Sequence, residues 1–480
     1  MTTTTTSDRN TQESQVSDAQ ALVAETVARA KAAMAAYENH DQERVNDAVR
    51  ALAWSIYKPE HAQMLAELAV EDTGLGTVES KFIKNTRKTF GTLRDLLRAK
   101  TVGVISEDPE RGLVKYGKPV GIVGAVCPST NPAATPVNKA MMALKGGNAV
   151  IIAPSPAGAV TTRKTVDLMR AELKKAGHPE DLVQLLPPPV SKIMTEEMIR
   201  QVDLAVVTGS QDNVRRAMQS GTVTVGVGAG NVPVIIDSTA DLDDAAEKIC
   251  ASKIFDNSTS CSSENALVIL DDVYEDAIAA LERAGGWRCD RTESDNVINT
   301  LWIGGKLNRS IIAKDADVLA EAMKLRDGAK GAKFFMVEQD SVGGKHSLAD
   351  EKLSLVLTVY RAKNFDEAKK IVASILEITG KGHSVGIHTK DNAHAQDLAE
   401  ATDVVRVLVN QAHTFGNGGG FNNSLPFTLS MAGGTWAGNT LSDNLNYNCF
   451  INITHLVTTI PEDKPSEEAL FGPYWERYGK

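Results

Sequence analysis

Cys261 stands in the run Phe255-Asp256-Asn257-Ser258-Thr259-Ser260-Cys261-Ser262-Ser263-Glu264, with hydroxyl side chains on both sides. A thiol among aliphatic neighbours is ordinarily packing, whereas one in polar company can be reached and, as a thiolate, attacks an electrophilic carbon. The same composition also describes a solvated loop with an incidental cysteine, and the rest of the chain must separate the two readings. Cys127, Cys250, Cys289 and Cys449 are widely spaced with no C-x-x-C pair. The nine histidines include no H-E-x-x-H and no close Cys/His cluster, so no metal site is expected.

Three glycine- or proline-punctuated stretches could serve such a thiol. Cys127-Pro128-Ser129-Thr130-Asn131-Pro132 and Thr208-Gly209-Ser210 each follow an apolar strand-like run, where free backbone N–H groups can meet a phosphate or a cofactor ring. Turn chemistry alone would use the same residue types. Gly226-Val227-Gly228-Ala229-Gly230 has the look of a dinucleotide fingerprint but lies between two strand-like runs, and the fingerprint needs a following helix. It reads instead as a close backbone approach near the active site.

The elements that would position these stretches follow from periodicity. Residues 1–15 are polar and are expected to be a disordered tail. Ala21, Leu22, Ala24 and Val27, then Val45, Val49, Leu52 and Ile56, recur at helical spacing, and two more helices are expected at residues 60–72 and 78–97. Residues 101–118 read as a hairpin that packs on a neighbouring subunit or caps its own domain, with residues 450–457 as a strand able to pair with it. From Gly121 strand and helix alternate, which predicts an α/β fold with a parallel sheet and ligands at the strands' carboxyl ends. The expected organisation is a cofactor-binding domain (16–100 and 119–236), a catalytic domain (237–444), and an oligomerisation hairpin and strand (101–118 and 445–465). A cleft between the two α/β domains would hold Cys261. The Gly-, Asn- and aromatic-rich residues 414–438 read as a long functional loop.

A chain of 480 residues, 42% hydrophobic, has room for two or three domains. A net charge of -10 with no Lys/Arg-rich run argues against nucleic acid or an anionic membrane as a partner. The odd number of unpaired cysteines, with no leader-like or long apolar stretch in view, points to the cytoplasm.

Six ordered motifs carry a resemblance: Cys127–Pro132, Val207–Ser210, Gly226–Asn231, Phe255–Glu264, Asp350-Glu351-Lys352-Leu353-Ser354 and Gly433-Gly434-Thr435-Trp436-Ala437-Gly438-Asn439. Over residues 20–460 the chain resembles the CoA-acylating branch of the aldehyde dehydrogenase superfamily. Glu71-Asp72-Thr73-Gly74 and Asn410–Gly416 are similar to the acylating sulfoacetaldehyde dehydrogenases within it.

The resemblance implies a homodimer or homotetramer that oxidises a small aldehyde with NAD or NADP and passes the acyl group to coenzyme A. Sulfoacetaldehyde is the expected substrate, with acetaldehyde or succinate semialdehyde as alternatives. Cys261 would be the nucleophile, and Asn131 with the Cys261 N–H would hold the oxyanion. Thr208, Gly209, Ser210, Gly228 and Glu351 would line the nicotinamide site. The hydrolytic branch has a water-activating glutamate where this chain has the glycine run near Gly226, so a thiol is the better acceptor. That branch also has a ribose-binding lysine where this chain reads Ala153-Pro154-Ser155-Pro156, which opens the choice between cofactors, with NADP favoured. His413, Asn417, Asn422 and Asn423 are the expected sulfonate donors, unless they bond their own loop. A thiol hydrolase would use Cys261 without nicotinamide, and a non-enzymatic scaffold would leave Cys261 and Asn131 without a use.

Overall fold

The structure, a computed structural model, describes residues 6–38, 40–344 and 347–480, with side chains from Gln15 onward. Helices open the chain at Thr6–Ala36, Gln42–Tyr57, Pro59–Thr73 and Val78–Ile83; a π-helical turn, Lys84–Lys88, leads into Thr89–Leu97. The expected tail is corrected for residues 6–15, which extend the first helix, while 1–5 lie outside the described residues. Propagating a helix already nucleated downstream costs little per residue, so polar composition alone does not end it. The buried face of that helix is also rotated from the expected one. Ala19, Val23, Val27 and Ala30 face the core, whereas Leu22 remains 38% exposed. In the next helix Val45, Val49, Leu52 and Ile56 are all buried, as their spacing requires, and Asp41 caps its start by accepting from the Arg44 N–H.

The strands are β1 (Gly103–Asp108), β2 (Leu113–Pro119), β3 (Ile122–Val126), β4 (Ala149–Ala153), β5 (Val183–Leu185), β6 (Leu204–Thr208), β7 (Thr224–Val227), β8 (Val232–Ile236) and β9 (Glu264–Leu270). They continue with β10 (Gly286–Arg288), β11 (Trp302–Ile303), β12 (Lys306–Leu307), β13 (Phe334–Glu338), β14 (Val356–Ala362), β15 (Val385–His388), β16 (Val407–Val409) and β17 (Ile451–Val457). One parallel sheet has the order β5-β4-β3-β6-β7, and a larger parallel sheet runs β10-β13-β14-β9-β8-β15-β16. The strand order of the smaller sheet reverses at β3, so the loops after β3 and β6 open a crevice between them. Their strands are aliphatic throughout because helices cover both faces.

Val232–Ile236 pairs with β9 and β15, not with β7. The expected boundary at 236/237 therefore moves back to the link at residues 228–231. This link has a geometric consequence. It leaves the carboxyl end of β7 and enters the amino end of β8, so the carboxyl ends of the small sheet face the amino ends of the large one. The thiol loop, which ends a helix (Leu242–Ile254) and precedes β9, lies at that same amino edge. The rule of ligands at carboxyl ends thus holds for the first sheet only.

The hairpin forms as expected, with β1 antiparallel to β2, and β17 of the same chain completes a three-stranded sheet from Ile451 opposite Pro119 to Val457 opposite Leu113. Residues 467–478 add a helix past the expected end of that region, and residues 285–333, left unassigned by periodicity, supply β10 to β12, two α-helices and two short 3-10 turns. Asn148 anchors the sheet to the core: its Oδ1 accepts from the Gly121 N–H at 3.0 Å, and its Nδ2 donates to the Ala143 and Phe450 carbonyls at 2.8 and 2.7 Å. Asn148→Ala removes the side-chain partners of the Gly121 N–H and the Phe450 carbonyl, while the Ala143 carbonyl keeps the N–H groups of Gly146 and residue 148. It is expected to lower stability by about 2–4 kcal/mol, read as a fall in denaturant midpoint at unchanged m-value.

Candidate active site

The thiol loop begins with a backbone that needs outside support. Asp256, Asn257 and Ser258 all have left-handed φ values, +53°, +51° and +62°. Each such residue costs on the order of 1–2 kcal/mol without a glycine. Polar side chains hold the turn. The Asp256 N–H donates to Ser80 Oγ at 2.9 Å, Asn257 Nδ2 donates to Asp315 Oδ1 at 2.7 Å and to the Ala313 carbonyl at 3.2 Å, and the Ser258 and Ser263 hydroxyls are 2.7 Å apart. The run is therefore buried and internally bonded, where a solvated loop was the plain reading.

The strongest restraint is ionic. The Asp256 carboxylate, with no exposure to solvent, takes hydrogen bonds from Lys81 Nζ at 2.7 Å, from Lys84 Nζ, from Thr259 Oγ1 at 2.7 Å and from the Thr77 N–H at 3.0 Å. Burial pushes this carboxyl up, but Lys84 and Lys81 outweigh it and hold it below the ordinary range. Lys81 also donates to the Thr130 carbonyl at 2.6 Å, and Lys84 to Thr259 Oγ1 at 3.0 Å. One carboxylate thus ties the helix at 78–83 to the loop carrying Asn131 and to the loop carrying Cys261. Gly76, at φ +74°, admits the carboxylate; a Cβ there would overlap it. The sequence signal was available in part, since Lys81, Lys84 and Lys88 share one helix face, but such a face normally reads as solvated.

Cys261 and Asn131 line the same cavity, of about 420 Å³. Among the described residues no side chain or carbonyl takes the Asn131 amide N–H groups, and its buried Oδ1 is also unpartnered. No carbonyl or side-chain oxygen accepts from the Cys261 N–H either. Two unspent donors therefore sit in one cavity with a thiol. A Cβ on Gly230 would overlap the Cys261 carbonyl, which accounts for the glycine run as a close approach. Burial, then the Glu351 carboxylate, pushes the Cys261 thiol up to about 12. The other cysteines do not line this cavity.

Thr208, Gly209, Ser210 and Gly228 form the wall at the carboxyl ends of β6 and β7. Ser210 caps the helix at 211–219 through the Asn213 N–H, and Thr208 Oγ1 lies 2.8 Å from Ser430 Oγ. Gly228 has the Gln211 side chain against its missing Cβ, so any side chain there would intrude on the wall. A flat ring fits such a surface, and backbone N–H groups at the start of the 211–219 helix suit a phosphate. Glu351 lines the cavity opposite, accepting from the Gly230 N–H; burial pushes its carboxyl up to about 8.

The expected sulfonate donors do not line this cavity. His413 is buried, 2.9 Å from Ser384 Oγ through Nε2, and burial with the nearby Arg406 charge lowers it to about 3. Asn417 is buried and donates to Ser262 Oγ at 2.8 Å; Asn422 points to solvent. Asn423 bonds its own loop, accepting from the Gly420 and Leu425 N–H groups and donating to the Gly416 carbonyl and Gln411. Polar residues in a glycine-rich loop are consumed by the loop's backbone. Thr414, Phe415, Gly418, Thr428, Leu429 and Met431 of the long loop do line the cavity, as do Lys84, Arg87 and Lys88, which periodicity did not single out.

Residues 5–427 match the aldehyde dehydrogenase family model. The chain belongs to the aldehyde dehydrogenase family. It is 49% identical over 459 residues, 95% of this chain and 93% of the relative, to a sulfoacetaldehyde dehydrogenase (acylating) of Cupriavidus necator. A protein of the same description from Bilophila wadsworthia is 40% identical over 95% of this chain and 99% of the relative. Among solved structures, an acetylating aldehyde dehydrogenase from Geobacillus thermoglucosidasius superposes with a TM-score of 0.89 at 32% identity, covering 94% of this chain and 99% of that one. The α/β architecture is therefore that of an aldehyde dehydrogenase.

Two outcomes check the site. Asp256→Asn removes the buried anion between Lys81 and Lys84 and is expected to cost about 3–5 kcal/mol in stability and to abolish dehydrogenase activity, whereas a variant as stable and active as wild type would leave the turn unexplained. For the thiol, a group raised to about 12 stays mostly protonated at neutral pH and gains thiolate as pH rises. Alkylation of Cys261 in cofactor-free enzyme is expected to climb about tenfold per pH unit from about pH 7 to about pH 10 without a plateau. Glu351→Gln, which removes a carboxylate that disfavours the thiolate, shifts the curve to lower pH.

Proposed function

We propose that this dehydrogenase oxidises sulfoacetaldehyde and delivers the acyl group to coenzyme A. The observation that carries the acylating reading is the scarcity of carboxylates that could activate water: among the residues lining the cavity Glu351 is the one acid, and it accepts from the Gly230 N–H. The glycine run at 226–230 adds none. A thiol needs no such base, since coenzyme A supplies its own thiolate fraction at ordinary pH. The acylating relatives support the reading, and sulfoacetaldehyde is the substrate in the names of two of them.

In this mechanism the Cys261 thiolate adds to the aldehyde carbon, and the resulting alkoxide takes hydrogen bonds from the unspent Asn131 amide and the Cys261 N–H. Thr208, Gly209, Ser210, Gly228 and Glu351 would hold a nicotinamide dinucleotide, which would supply the two-electron acceptor. The carbon, having lost hydride, is left as a thioester on Cys261. The coenzyme A thiolate displaces Cys261, which releases acyl-CoA and returns the enzyme thiolate. Charge and atoms balance as aldehyde, oxidised cofactor and coenzyme A going to acyl-CoA, reduced cofactor and one proton.

NADP is the proposed cofactor over NAD. The turn after β4, Ala153-Pro154-Ser155-Pro156, carries no acidic side chain to hold a ribose 2′-hydroxyl or to repel a 2′-phosphate. By the same reading the five-stranded unit with its helices is the cofactor-binding domain and the seven-stranded unit the catalytic one. The β1-β2-β17 sheet is the proposed oligomerisation element of a homodimer or homotetramer, since Ile453, Leu456 and Val457 leave an apolar edge exposed on it. No helix among the described residues is long and apolar enough to cross a membrane, and the five unpaired cysteines suit a reducing cytoplasm.

Reduced-nicotinamide absorbance with sulfoacetaldehyde is expected to require coenzyme A, to be faster with NADP than with NAD, and to vanish in Cys261→Ser. Asn131→Ala is expected to lower kcat by about 10²–10³-fold. Full turnover without coenzyme A would overturn the acylating reading.

A further inference from the structure

We infer that Arg87 and Lys88, at the end of the π-helical turn, form an anion-binding subsite that holds the charged tail of the aldehyde while its carbonyl meets Cys261. The inference rests on the proposed sulfoacetaldehyde reading for the identity of that tail, and on the cavity itself for its charge.

The geometry begins with how the turn is wound. A π-helical stretch places one extra residue in a helix, and Lys84–Lys88 is that stretch, directly beside the thiol loop. The widening lets Lys84, Arg87 and Lys88 all line the cavity. Lys84 is committed to Asp256 and Thr259. The other two are not committed to any acid. Among the described residues Arg87 has no hydrogen-bond or ion-pair partner; its guanidinium lies over Phe415, Phe421 and Phe427 at 5.7, 5.3 and 5.7 Å from the ring centres. Lys88 donates to the Gly418 carbonyl at 2.8 Å and reaches the Gly419 carbonyl at 3.5 Å, with no carboxylate beside it. Gly418 has to be a glycine for this, because a Cβ would come within 2.9 Å of Lys88 Nζ.

Lys88 is half-buried and has no counter-ion beside it, and loss of water contact followed by the Arg87 charge lowers it to about 7. An anion arriving beside these two side chains would offset both effects. The cavity also sets the thiol apart from the two cations, which lie along the helix one turn past the residue that touches Thr259. A short aldehyde with a sulfonate or carboxylate at its far end matches that order. A guanidinium offers paired N–H donors to such a group, and the aromatic floor of Phe415 and Phe427 keeps the fork oriented while excluding water. These two side chains supply the charge that His413, Asn417, Asn422 and Asn423 do not.

The test separates the subsite from the identity of the physiological aldehyde. Acetaldehyde turnover by wild type, Arg87→Gln, Arg87→Lys and Lys88→Met is measured with increasing isethionate, a small sulfonate that carries no aldehyde, and with ethylene glycol as its neutral counterpart. The expected result is competition by isethionate against acetaldehyde in wild type, with the isethionate inhibition constant, taken relative to each variant's own acetaldehyde KM, rising at least tenfold in Arg87→Gln and several-fold in Lys88→Met, and partial recovery in Arg87→Lys. A charge-assisted hydrogen bond of about 1.5–3 kcal/mol sets that scale. Absence of competition in wild type, equal inhibition by ethylene glycol, or undiminished isethionate inhibition in both Arg87→Gln and Lys88→Met would overturn the subsite. Sulfoacetaldehyde turnover in wild type is then read separately: a competent subsite with no such turnover overturns the substrate and leaves the anion site standing.

Discussion

Asp256 is the single charge on which the active site turns. Its carboxylate is fully buried, and it is the shared acceptor of Lys81, Lys84, Thr259 and the Thr77 N–H. Remove the lysines and the carboxylate has no reason to be inside; remove the carboxylate and two ammonium groups are stranded. The mutual need makes the cluster a register pin for parts of the chain far apart in sequence. Lys81 fixes the Thr130 carbonyl, one residue from Asn131, while Asp256 itself starts the left-handed run that ends at Ser258, in the loop that carries Cys261. Asn131 and Cys261, the proposed oxyanion donor and nucleophile, are thus positioned by the same ion cluster, as catalysis by preorganised donors would require.

The two sheets give this cluster its place. A link of four residues, 228–231, carries the chain from the carboxyl edge of one sheet to the amino edge of the other, and a link that short forces the edges together. Gly230 lets the crossing backbone lie against the Cys261 carbonyl, and Asn439 Nδ2 ties the Gly226 carbonyl to the long loop. Side chains in this crossing would occupy the space that a cofactor ring and a thioester need. Glycine there removes bulk and, with it, any carboxylate that could activate water.

What the sequence made readable and what it hid follow one division. The alternation of strand and helix, the hairpin, and Cys261, Asn131 and the glycine run were legible because each depends on local pattern or on residue types with one obvious use. Pairing partners were not. Nothing local says that β8 joins β9 and not β7, so the domain boundary was placed a strand too late. The same limit hid Lys81 and Lys84, whose face of the helix looks solvated until Asp256 is set against it. It also misdirected the anion donors: His413, Asn417 and Asn423 lie near the correct loop but are spent on Ser384, Ser262 and loop backbone. A donor's identity is written in the sequence, but whether it is free is decided by the fold.

The electrostatics of the cavity join these points into one account of chemistry. Burial and Glu351 push the Cys261 thiol up to about 12, so a positive or hydrogen-bonding group placed beside it would raise its thiolate fraction. An anionic aldehyde bound by Arg87 and Lys88 does not itself lower that value, since it brings negative charge into the cavity. In the proposed reaction Thr208, Gly209, Ser210 and Gly228 would hold an oxidised nicotinamide, whose positive charge has the sign that favours a thiolate at Cys261. The same low-dielectric setting then works for the second half-reaction. A thioester shielded from water, in a cavity whose one acid accepts from the Gly230 N–H, survives until a stronger nucleophile arrives, and a thiol meets that description where water does not.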